Sequence, residues 1–193
     1  MARTKEFDTE EVLEKAIGVF WDKGYTACSI QDVVEGLGLS RSSIYETFGD
    51  KRQLFLAALK KYQREGVDSM RHNLEAATNV RQALKDIFYA ILPVGPDGSM
   101  QKGCFLVNSG IELAPHDPEI AAIVQANRQE IEEILRSAIQ KGQDSGLISR
   151  KLDALSIARF FFTTISGLRV SATSDNADRK TLEDIIRVSL SVL

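Results

Sequence analysis

Residues 37–51 read LGLSRSSIYETFGDK, a hydroxyl-rich stretch set between two apolar ones. Just upstream, Ser29 opens a segment that carries Ile30, Val33, Val34 and Leu37 at helical spacing, with Asp32 three residues after the serine. Gly38 ends that segment, because glycine adopts the positive φ of a tight turn without steric cost. Ser40 then opens a second short helix reaching about Thr47. Ile30, Val33, Leu37, Leu39 and Ile44 fall where two crossing helices must meet, so the spacing predicts a helix-turn-helix. Ser40, Arg41, Ser42, Ser43 and Tyr45 are left at the start and on the outer face of the second helix. Short hydroxyls fit phosphates and base edges, and arginine pairs bidentately with guanine, so this face suits double-stranded DNA. Gly49-Asp50-Lys51 opens a further helix whose free N–H groups, with Lys51, suit a phosphate. A helical hairpin with a merely polar outer surface has the same outline.

Working outward, the pattern is helical nearly everywhere. Residues 9–23 put Val12, Leu13, Ala16, Ile17 and Phe20 on one face, with Asp8 and Glu11 as a capping box and Gly24 as the stop. Asp50 and Gln53 form a second capping box before LFLAALKKY. Longer segments follow at roughly 79–92, 103–113, 117–143, 153–173 and 178–192. The fold expected is all-α: a three-helix domain at 1–50, a linking helix at 51–66, and a larger helical region at 67–193.

The chain has 193 residues, 44% of them hydrophobic, enough for a buried core. A net charge of −3 excludes binding nucleic acid through bulk charge and leaves a local patch as the only route. Cys28 and Cys104 form neither a disulfide framework nor a zinc pattern, and His116 with Asp117 supplies too few ligands for a metal. No cofactor motif is present. Reduced thiols and the lack of an apolar leader lead us to expect a cytoplasmic protein. LSIARFFFTTISGL is too short and polar for a membrane span, so no membrane partner is expected.

Residues 24–55, GYTACSIQDVVEGLGLSRSSIYETFGDKRQLF, resemble the DNA-binding domain of the tetracycline repressor (TetR) family of bacterial transcriptional regulators, and the likeness extends back to Phe7. The shared features are Gly-Tyr, a Ser opening the helix, an Ile/Val pair, Leu-Gly-x-Ser, Tyr-x-x-Phe and a Lys at the start of the fourth helix. Cys28 replaces the usual Thr, Val34 stands where Ala is common, and Thr47 fills a place often held by a phosphate-contacting His or Tyr. The resemblance implies a homodimeric repressor that leaves its operator when a small-molecule inducer binds the C-terminal domain. Its DNA contacts fall on Thr26, Ser29, Ser40, Arg41, Ser42, Tyr45 and Lys51, with Arg3 and Lys5 as an additional arm.

KGCFLVNSGIELAPHDPEI (102–120) resembles a helix of one subgroup of that family, in which some members sense electrophiles or oxidants through a cysteine. Cys104 at a helix start beside Lys102 suits a thiolate, while most free cysteines are small buried hydrophobes. Candidate pocket residues are Phe88, Leu92, Cys104, Phe105, Asn108, Ile111, Phe161, Phe162 and Ser166, although RFFF also reads as plain core. Two apolar stripes, Ile157, Phe161, Ile165, Leu168 and Ala172, and Leu182, Ile185, Ile186, Val188, Leu190 and Leu193, are expected to form the dimer bundle, as in the family. An enzyme reading would use Cys104 as nucleophile and His116 as base. No third group orients them, so no enzymatic activity is expected.

Overall fold

The computed structural model describes residues 7–92, 102–173 and 178–193, and these are helical with short connections. The helices are α1 (Thr9–Lys23), α2 (Ile30–Leu37), α3 (Arg41–Phe48), α4 (Lys51–Glu75), α5 (Val80–Tyr89), α6 (Phe105–Leu113), α7 (Pro118–Asp144), α8 (Ala154–Ser171) and α9 (Arg179–Leu190). Arg3, Lys5 and most of the 93–103 loop lie outside the described residues.

The starts follow the caps read from the sequence. Ser29 and Asp32 form a reciprocal capping box on α2. Ser40 accepts from the N–H of Ser43, and Asp50 from that of Gln53. Asp8 accepts from Glu10 rather than Glu11. Gly38 ends α2 with φ 65°, the left-handed turn that brings α3 across it. The linking helix is longer than expected: α4 runs unbroken from Lys51 to Glu75, because nothing near residue 66 breaks it, and Gly66 alone does not.

Two apolar clusters organise the chain. One gathers Val12, Phe20, Val33, Ile44, Leu54 and Phe55 from α1–α4, and continues into Phe105, Leu106 and Ile120 of α6 and α7. Phe55 is its hub, with Phe20 at 5.2 Å, Tyr25 at 4.7 Å and Phe105 at 5.7 Å between ring centroids. The other cluster joins α5, the second half of α7, α8 and α9 to the far end of α4. Helix α6 therefore packs with the helix-turn-helix core, although by sequence it falls with the C-terminal region.

Most of the residues expected to pair with a second chain are used within this one, while Ile185 and Val188 of the second stripe stay exposed. Ile157, Phe161, Ile165, Leu168, Leu182 and Ile186 are all at most 5% exposed. The most apolar face of each helix is the one that closes the protomer's own core. Leu190 and Leu193 are likewise covered, and the Leu193 carbonyl accepts from Ser149 N–H at 3.2 Å.

Candidate functional site

Helix α3 presents the outer face the sequence outlined. Ile44 is fully buried in the cluster that α3 shares with α2 and α4, which turns Arg41 and Ser42 outward to solvent. Arg41 lies over the Tyr45 ring, its guanidinium carbon 5.2 Å from the centroid. This contact holds the guanidinium along the outer face of the helix. The hydroxyls of Ser40, Ser42 and Ser43 form a cluster, with Ser40 2.9 Å from Ser42 and 2.8 Å from Ser43. Ser40 is thus part cap, and Ser42 is the hydroxyl left nearest solvent.

Lys51 and Ser29, two of the expected DNA contacts, also hold the unit together. Lys51 donates to the carbonyls of Tyr25 at 2.8 Å and Cys28 at 2.5 Å, and sits 4.2 Å from the Tyr25 ring centroid. It ties the α1–α2 turn to α4. The Ser29 hydroxyl donates to Asp32 at 2.6 Å. Arg52 meets Asp117 at 2.8 Å and Glu119 at 3.0 Å, at the start of α7. Lys51 and Arg52 therefore already have carbonyl and carboxylate partners within the protomer.

Thr26 is exposed, and nothing local in the chain announces its partner. Glu112, near the end of α6, accepts from the backbone N–H groups of Thr26 at 2.7 Å and Tyr25 at 3.1 Å. Gly24, with φ 73°, admits that carboxylate, since a Cβ there would lie 3.2 Å from Glu112 Oε2. Burial alone would raise the Glu112 pKa, but the hydrogen bonds from Thr26 and Tyr25 hold it below the usual carboxylate range. Asp117 is also held low, chiefly by Arg52, and Glu119 by Lys60 and Arg52. Glu112 and the Arg52 pairs clamp α6 and α7 to the helix-turn-helix.

A cavity of about 130 Å³ opens at the other end of α6, between α4, α6, α7 and α8. Of the pocket candidates, Cys104, Phe162 and Ser166 line it, joined by Tyr62, Asn127 and Arg169. The other pocket candidates lie elsewhere. Phe88 and Phe161 pack edge to face at 4.9 Å inside the core, and Leu92 is buried beside them. Phe105 is enclosed by Phe55, Tyr62 and Trp21. Asn108 donates to the Lys102 carbonyl at 3.0 Å, closing the turn into α6. Ile111 is 66% exposed. One residue of shift on a helix turns a side chain by about 100°, so an apolar run alone does not say which member faces the cavity.

Cys104 is 5% exposed and lies 3.7 Å from the Tyr62 hydroxyl, which donates to it. Lys102 does not accompany the thiol, because it pairs with Asp22. Nor does His116: the nine-residue α6 between them spans roughly 13 Å.

Two family models match the chain. Residues 12–58 match the bacterial regulatory proteins of the tetR family, and 80–186 match the tetracyclin repressor-like C-terminal domain. The chain belongs to the TetR family. It is a DNA-binding helix-turn-helix transcriptional regulator. It is 38% identical over 194 residues to the HTH-type transcriptional regulator YezE of Bacillus subtilis (strain 168), covering 100% of both chains. It is 31% identical to the HTH-type transcriptional repressor ComR of Escherichia coli (strain K12), over 88% of this chain and 81% of that one. Among solved structures, the TetR-family regulator CifR, as a cysteine mutant complexed with 26 bp double-strand operator DNA, matches with TM-score 0.79 and 25% identity over 98% of each chain. Reduced NemR of E. coli shares the fold at TM-score 0.82 and 14% identity over 95% of each chain. Among the described residues no helix is long and apolar enough to cross a membrane.

Proposed function

We propose that this regulator is a homodimeric repressor that places two α3 helices in successive major grooves of a pseudo-palindromic operator, about 34 Å apart. The observation that carries this reading is the outward face of α3, where Arg41, Ser42 and Tyr45 stand clear of the buried Ile44. These three make the direct contacts. Thr26, Ser29, Ser40 and Lys51 support them by fixing the turns on either side. ComR is a repressor and the CifR structure holds operator DNA, which favours the same role here.

The dimer forms through a face other than the buried stripes. Phe160, Thr163, Gly167 and Val170 follow one another along α8 at helical spacing and are exposed; Ile185 and Val188 do the same on α9. Gly167 has open space beside it, which lets a partner helix approach closely.

Release follows from occupation of the cavity by a small-molecule inducer. Helix α6 borders the cavity at Cys104, Leu106 and Val107 and reaches the α1–α2 turn at Glu112. A ligand that favours a shifted α6 therefore favours a shifted helix-turn-helix, provided it binds that state more tightly. The test is fluorescence anisotropy with a duplex from the chain's own promoter. Wild type binds with a steep salt dependence, and Arg41→Ala weakens binding; equal binding by the variant overturns the assignment of this face.

A second reading has its own observation: Cys104 lines the cavity, so the trigger is then oxidation or electrophile modification of its thiol. Cys104→Ser separates the two. A ligand-operated protein keeps its response, whereas a thiol-operated one loses it with DNA affinity intact.

A further inference from the structure

The cavity is apolar except for a few side chains, and their hydrogen bonding is uneven. Tyr62 donates to Cys104, Ser166 donates to the Phe162 carbonyl at 2.9 Å, and Gln63 reaches Glu130 on the rim at 3.4 Å. Asn127 and Arg169 differ. Among the described residues neither side chain has a hydrogen-bond or ion-pair partner. Their polar atoms are not sealed off either, since no buried side-chain nitrogen or oxygen is left unpartnered among those residues. Both are donors that open on the cavity.

Arg169 is placed there by its helix. Phe162, Ile165, Ser166 and Arg169 recur at i, i+3, i+4 and i+7, the spacing of one face, and all four line the cavity. The lining holds no Asp or Glu, so Arg169 is its one ionic side chain among the described residues. A guanidinium without a carboxylate, beside an apolar wall, is a poor structural element. Its planar fork matches a carboxylate, to which it donates two parallel hydrogen bonds.

We infer that the cavity is a receptor for a small organic monoanion, a carboxylate held by Arg169 and Asn127, with its hydrocarbon part against Phe162, Ile165 and Val124. This rests on the reading of the cavity as the effector site. The volume sets the size: about 130 Å³ is close to the roughly 150 Å³ that accommodates a benzene ring. A six-membered ring or a short alkyl chain fits, and a bulky amphiphile does not.

The test uses the full chain and isothermal titration calorimetry with sodium benzoate, phenylacetate and the straight-chain carboxylates from butyrate to octanoate, each beside its neutral primary amide. At least one carboxylate binds, at least tenfold more tightly than its amide. Arg169→Gln removes that preference, and Arg169→Lys retains part of it. Gly66→Leu, which fills open space in the lining, abolishes binding of carboxylate and amide alike. If amides bind as well as acids, or if Arg169→Gln leaves the preference in place, the anion site is refuted while the cavity remains a binding site. If no carboxylate in the series binds, the inference also fails. Release of operator DNA is measured separately by anisotropy. Arg169-dependent binding without release overturns the effector reading and leaves the anion site standing.

Discussion

Replacing Val188 by Asp tests the dimer face where it is most exposed. Phe160, Val170, Ile185 and Val188 are 44%, 41%, 39% and 62% exposed. Together they leave on the order of 300 Å² of apolar surface per protomer, or about 600 Å² per pair, a gross gain near 15 kcal/mol. Association itself costs roughly 4–15 kcal/mol, so the margin is narrow. Val188 supplies about 85 Å² of that surface and counts twice in an isologous contact. Losing it removes about 4 kcal/mol gross, and the two new carboxylates repel. A dimer dissociation constant at least a hundredfold weaker is expected.

Sedimentation equilibrium reads the dissociation constant and circular dichroism confirms that the variant is folded. Val188→Asp should give a folded monomer with much weakened operator affinity. Phe161→Asp and Ile186→Asp serve as contrast. Both positions are 0% exposed, so each buries a charge in the protomer's own core and should unfold or aggregate it. A Val188→Asp chain that remains dimeric at nanomolar concentration refutes the assignment of this face.

Other outcomes follow from the helix-turn-helix and its clamp. Arg41→Ala should lose about 1–3 kcal/mol of operator binding and relax base preference at one position of each half-site, read by anisotropy against single-base variants of the duplex. Lys51→Ala should lower the melting temperature as well as DNA affinity, because Lys51 holds the Tyr25 and Cys28 carbonyls; a loss of affinity at unchanged melting temperature would mark it as a plain phosphate contact. Glu112 and Asp117 have lowered carboxyl pKa values, so their contribution to stability is present above the ordinary carboxylate range and is lost as pH falls through the folded values. Thermal melts from pH 7 to pH 3 should therefore show a decline that is shallower in a Glu112→Gln, Asp117→Asn double variant; an unchanged slope counts against the clamp.

The helices and their starts were legible because they rest on local chemistry. Ser29, Ser40 and Asp50 cap within three residues of themselves, and Gly38 turns on its own φ. Side-chain assignments were less legible because they depend on partners far along the chain. Lys51 looked like a phosphate ligand until the Tyr25 and Cys28 carbonyls came within its reach. Glu112 carries no local signal, because its partners lie 86 and 87 residues away. Arg169 could have been placed beside Ser166 and Phe162 by helical spacing, but only once that face of α8 was known to look onto a cavity. The dimer stripes were legible only in part, with Ile185 and Val188 left exposed and the rest buried in the protomer. The strongest apolar face of a helix is claimed by its own core, and the weaker one, with Phe160 and Val188, is left exposed.

The division of the core says where a signal must pass. Phe105 and Leu106 belong to the cluster built on Phe20, Ile44 and Phe55, while Leu106 also borders the cavity. A ligand beside Leu106 thus touches the packing of the DNA-binding unit directly, with no relay of intervening side chains. Packed cores resist continuous deformation, so in the proposed release mechanism α6 moves as a unit and its far end carries Glu112 with it. The Arg52 pairs with Asp117 and Glu119 fix the next point along, where α7 begins. In the proposed release mechanism, a displacement of α6 pivots the α1–α2 turn against α4 and so changes the separation of the two α3 helices of the dimer.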